Sequence, residues 1–97
     1  MKHKLRTEVI VWPGSAPWHL THLPKPKSQE LRKKFRLKQR GWSSLPVEVI
    51  LGKCTWHTSI FYDKKSESYI LPLKAEVRKK EGVYQGDKIA YSIEVLV

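Results

Sequence analysis

Ile89, Tyr91, Ile93 and Val95 alternate with Lys88, Ala90, Ser92 and Glu94. A period of two places the four apolar side chains on one face of a strand. Only one register is then admissible, because a slip of one residue would turn all four to water. The pattern predicts Ile89, Tyr91, Ile93 and Val95 buried, with Lys88 and Glu94 exposed. Everything upstream must supply the surface that this face packs against.

That surface reads as further short strands. Thr7 to Trp12 is rich in β-branched residues and stops at Pro13-Gly14. Trp18 to Leu23 follows, so the first two strands form a hairpin. Val47 to Leu51 and Cys54 to Phe61 are separated by Gly52-Lys53, the two-residue loop of a type II′ hairpin. Ser68 to Leu71 is a fifth strand, with Pro72 expected near an edge. Two short helices complete the set. One begins at Ser28 as N-cap, after an extended Pro24-Lys25-Pro26-Lys27 connector, and carries Leu31 and Phe35 on one face. The other runs from Lys74 to Lys80 around Val77 and ends at Gly82.

The 97 residues make one domain over 1–97, enough to bury roughly 65% of the unfolded surface without cross-links. The expected fold is mainly β: a small closed antiparallel β-barrel of about six strands with one or two short helices. Closure removes unpaired edges. Trp12, Trp18 and Trp56 are expected to fill it. The single Cys54 excludes an internal disulfide and suits a reducing compartment. The apolar run Val9–Trp12 is too short for a signal-peptide core, and no stretch reaches the ~20 apolar residues of a membrane helix. A cytoplasmic protein is the expectation.

The net charge is +10, and Lys25 to Arg40 holds eight basic residues against Glu30 alone. Such a field attracts a polyanion such as nucleic acid, or is a solvated face. The candidate contacts are Arg32, Lys33, Arg36, Lys38 and Arg40. Trp42 is the candidate aromatic, either stacking on a base or plugging the barrel mouth. A second group is Thr58, Ser59, Lys74 and Arg78. Lys74 and Arg78, four apart on a helical turn, repel unless an anion or an acid sits between them. This group is a candidate pocket for a small anion, in a carrier or an enzyme. Its hydroxyls can instead cap backbone, while Glu76 or Glu81 offsets the cations.

No catalytic residue, metal or cofactor follows from the motifs. His19/His22 and Cys54/His57 are each three apart on strands, so neither pair converges on a metal. There is no nucleophile elbow, Walker loop or dinucleotide fingerprint. The leading expectation is a non-enzymatic binding module that engages an anionic partner, nucleic acid, through the basic helix and loop, with a small-anion or small-ligand protein or enzyme using the Lys74 and Arg78 pocket, or a structural interaction module, as the other classes.

The stretches Thr55-Trp56-His57-Thr58-Ser59-Ile60-Phe61, Tyr69-Ile70-Leu71-Pro72-Leu73-Lys74-Ala75-Glu76-Val77-Arg78-Lys79 and Gly86-Asp87, with Trp18-His19 and Gly41-Trp42-Ser43 upstream, resemble one microbial family. It is known as domain of unknown function nineteen-oh-five. The resemblance covers nearly the whole chain. It implies a small closed barrel, occurring alone or ahead of a YdeI/OmpD-associated domain. It carries no established activity.

Overall fold

The computed structural model describes residues 2–13, 17–36 and 44–97. Six strands, β1 (Lys2–Trp12), β2 (Trp18–His22), β3 (Ser44–Leu51), β4 (Cys54–Asp63), β5 (Ser68–Pro72) and β6 (Lys88–Val95), close in the order β1-β2-β5-β4-β3-β6. Every ladder is antiparallel. Helix α1 (Lys25–Lys34) follows β2, and α2 (Ala75–Glu81) follows β5. Because β2 and β5 run antiparallel, the two helices leave opposite ends of their ladder.

The ring follows from alternation. Val47, Val49, Ile60, Leu71 and Ile93 are fully or almost fully buried and fill the interior. Ile89 and Tyr91 join them as the period of β6 requires, whereas Val95 is half-buried at its end. Lys88 is exposed; Glu94 is half-buried, because it pairs with both Lys2 and Glu48 between two neighbouring strands. A polar thread crosses the interior. The Thr7 hydroxyl contacts those of Thr21 and Tyr91, and Thr21 Oγ1 donates to Glu8 O at 2.8 Å. Burial pushes the Tyr91 phenol up to about 12.

Three local expectations need correction. The connector before α1 is helical from Lys25, with Pro26 in the first turn, where a missing N–H costs nothing. Ser28 is therefore inside the helix. Its hydroxyl donates to Leu23 O and accepts from Tyr69 N at 2.9 Å, pinning α1 to β5. Pro72 ends β5 opposite Leu20, and a closed ring leaves it no edge. Of the three strand tryptophans only Trp56 is buried; Trp12 and Trp18 are 40% and 51% exposed. The register explains it: Val9 pairs with the buried Thr21 and faces inward, so Trp12 and its partner Trp18 face outward.

The two-residue loop carries Gly52 at φ +58, while Lys53 keeps a negative φ, which fits a type II′ turn. Gly82, at φ +63, stops α2 as its left-handed cap. Among the described residues no helix is long and apolar enough to cross a membrane.

Candidate functional site

The strand alternation that fills the barrel also builds its mouth. His19 shares the inward face of β2 with Thr21, and Thr58 shares the inward face of β4 with Trp56 and Ile60. The turn after β5 brings Leu73 N to His19 O at 2.9 Å and carries the chain into α2. A cleft of about 330 Å³ results. Trp18, Trp56, Pro72 and Leu73 give it apolar walls, while His19, His57, Thr58, Lys74 and Arg78 supply polar groups.

Three of the four candidate pocket residues meet here: Thr58, Lys74 and Arg78. Ser59 does not. It pairs with Pro46, one step out of phase with Thr58, and so lies on the outer face of the barrel. Arg78 is aimed by a hydrogen bond from its Nε to Leu73 O at 3.0 Å. The acids expected to neutralise these cations are engaged elsewhere. Glu76 pairs with Lys80 at 3.4 Å, and Glu81 Oε2 accepts from Lys53 N and Cys54 Sγ. Lys74 and Arg78 thus have no carboxylate partner among the described residues. Burial, and next the Arg78 charge, hold the His19 imidazole below its ordinary pKa, which favours the neutral ring. Its Nδ1 is buried with no hydrogen-bond partner among the described residues. Sequence reasoning missed His19, Trp18 and Trp56 as cleft residues; the parity of His19 with Thr21 was the available signal for the first.

The basic run is divided. Lys33, Lys34 and Arg36 are exposed, but Arg32 is half-buried with its guanidinium carbon 3.9 Å from the centre of the Tyr62 ring. Lys25 pairs with Glu67 at 3.5 Å, and Lys27 pairs with Glu30 at 3.3 Å and also reaches His3 Nδ1. Lys38, Arg40 and Trp42 lie outside the described residues. Three or more metal-ligating side chains do not cluster anywhere among the described residues. His19 and His22 face opposite sides of β2, as their spacing predicts.

A second cleft, of about 570 Å³, lies on the outer face between Trp12, His22, Asp63, Lys65 and Ser66. Ser66 Oγ donates to Asp63 Oδ2 at 2.8 Å and sits 2.7 Å from Ser68 Oγ; His22 Nδ1 lies 2.9 Å from Ser68 Oγ.

These features define a class: a small closed β-barrel with a cation-bearing cleft at its mouth. The family profile of a domain of unknown function, DUF1905, matches residues 6–93, and the chain belongs to that family. No curated protein matches the chain.

Proposed function

We propose that the barrel is a binding module for a small organic anion seated in the mouth cleft. One observation carries the reading: Lys74 and Arg78, two cations without an acid partner among the described residues, share a cleft with two indoles and the His19 ring. An anion placed there relieves the repulsion between the cations, and its apolar part covers Trp18 and Trp56. Arg78 presents the planar fork suited to carboxylate or phosphate, with Nε already fixed. The lone Cys54 suits work in a reducing cytoplasm, with the barrel alone or beside a YdeI/OmpD-associated domain.

The test compares thermal stability in phosphate and in chloride at matched ionic strength. Phosphate should stabilise the parent by about 2.7 kcal/mol at a hundredfold excess over its dissociation constant. Lys74→Ala with Arg78→Gln should abolish the difference. An equal response in parent and double variant would retire the site.

A second reading has a separate support. Lys33, Lys34 and Arg36 are exposed and have no acid partner among the described residues, so the end of α1 and Arg36 offer a polyanion such as nucleic acid a basic surface. Its affinity should fall with salt at a log–log slope of roughly 0.7–0.9 per phosphate neutralised. Lys33, Lys34 and Arg36 changed together to Glu should remove it while leaving the phosphate response intact. Unchanged binding by that triple variant would exclude α1.

A further inference from the structure

The outer cleft points to a different ligand chemistry. Its hydrogen bonds have one consistent direction. Ser66 gives its only hydroxyl proton to the Asp63 carboxylate. The 2.7 Å contact between Ser66 and Ser68 therefore needs the proton of Ser68. Ser68 then cannot donate to His22, so the 2.9 Å contact must be a donation from His22 Nδ1–H to Ser68 Oγ. His22 Nδ1 also lies 3.3 Å from Ser66 Oγ, whose proton is already given to Asp63, so Nδ1–H faces both serine oxygens and the network runs from His22 through Ser68 and Ser66 to Asp63. In the uncharged ring this direction puts the proton on Nδ1 and leaves the other nitrogen, Nε2, as a hydrogen-bond acceptor. Asp63 also accepts from Lys65 N, and the Ser66 hydrogen bond, chiefly, holds its carboxyl below the ordinary range, so it stays ionised.

The walls of the cleft then rank its possible occupants. An ionised Asp63 repels an anion, and Lys65 beside it repels a cation. Together the two charges cancel, so a neutral ligand pays neither penalty. Fixed acceptors at His22 and Asp63 require hydroxyl or N–H donors on that ligand. Trp12 adds a 40% exposed indole, a flat apolar platform for C–H groups. A ring with hydroxyls at its edge and C–H bonds on its face meets all three demands. We propose that the cleft at Trp12, His22 and Asp63 is a binding site for a neutral sugar ring. The site is distinct from the mouth cleft, with which it shares no lining residue.

The experiment is chemical-shift mapping of the full chain with glucose, galactose, N-acetylglucosamine and maltose added separately at millimolar concentrations, and adenosine as a planar heterocycle. At least one saccharide should shift the Trp12 indole and His22 ring signals and saturate. Trp12→Ala should abolish saturation. Asp63→Asn, which keeps the shape of the side chain, should weaken binding about fivefold, as expected for roughly 1 kcal/mol of hydrogen bonding. Lys79→Ala, an exposed site outside the cleft, should leave it unchanged. If no saccharide perturbs these residues, if adenosine alone does, or if Asp63→Asn and Trp12→Ala bind like the parent, the proposal is wrong. Phosphate titrated into the same sample reports on the mouth cleft independently, so either site can fail without the other.

Discussion

Trp12 and Trp18 stack across paired strands, ring centroids 6.4 Å apart and planes 15° from parallel, and the pair forms the wall between the two clefts. Trp18 lines the mouth cleft and Trp12 the outer one. Both rings are substantially exposed, so their worth to the fold lies mainly in each other. A double-mutant cycle of Trp12→Ala and Trp18→Ala in urea should give a coupling of about 0.5–1.5 kcal/mol. Additive losses would show the stack to be energetically idle.

Gly52 is constrained twice. Its φ of +58 disfavours any side chain, and a Cβ there would overlap the Glu81 carboxylate. That carboxylate ties α2 to the β3–β4 hairpin through Lys53 N and Cys54 Sγ. Burial and the Glu81 contact also push the Cys54 thiol up, so it stays protonated and able to donate. Gly52→Ala should cost about 1–3 kcal/mol in chemical denaturation. The cost should shrink in a Glu81→Ala background, where only backbone strain remains. An equal cost in both backgrounds would assign it all to φ.

Tyr69 is fully buried in the β5 wall, edge-on to Tyr62 at 5.4 Å, and its hydroxyl has no hydrogen-bond partner among the described residues. An unpaired buried hydroxyl costs about 1–3 kcal/mol. Tyr69→Phe should therefore raise the denaturation midpoint. A fall would mean that the hydroxyl is satisfied in solution.

Acid should weaken the barrel through two histidines. Burial, with Lys27 next in effect and Glu30 opposing, lowers the His3 pKa; burial and Arg78 lower that of His19. Both folded values lie below the ordinary 6.5. Between the two pKa values the unfolded chain binds more protons, so unfolding is favoured as pH falls. Stability should be flat above about pH 7, decline from about 6.5 downward, and stop losing ground to these groups below their folded pKa values. Urea midpoints measured down that range should fall less steeply for His3→Gln with His19→Gln. A parallel slope in that variant would assign the loss to other groups.

The direction of the Ser66–Ser68 chain fixes the neutral tautomer of His22. Long-range nitrogen correlation spectra should show the proton on Nδ1. Ser66→Ala with Ser68→Ala removes both hydroxyl acceptors at Nδ1 and should shift the population toward Nε2–H. A parent already in the Nε2–H form would reverse the chain.

The ring was readable because period-two alternation in β6 and a Gly-led two-residue loop between β3 and β4 act through backbone sterics alone. Helix α1 begins before the expected cap because Ser28, a good cap by type, accepts instead from Tyr69 N across the fold, a contact with no local signature. Size argues for Trp12 and Trp18 inside, yet Trp12 is one step out of phase with Val11 and pairs with Trp18, so both turn out. Lys74, Arg78 and Thr58 could be grouped from sequence because α2 is local and lies against β4. Parity with Thr21 turns His19 inward, but its place beside Thr58, like the Asp63, Ser66, Ser68 and His22 network, depends on strand order in the ring.

Strand β1 has two allegiances: Lys2 to Glu8 lie against β6, and Val9 to Trp12 lie against β2. The upper half can pair as soon as β2 exists. The lower half must wait for β6, so part of the barrel's first strand is among the last to find its neighbours. At roughly 5–20 residues per second, ribosomal synthesis leaves that half-strand an open edge for several seconds. Lys2, Lys4 and Arg6 stand along it, spaced so that their like charges repel a second such edge while the barrel is still an unfinished ring.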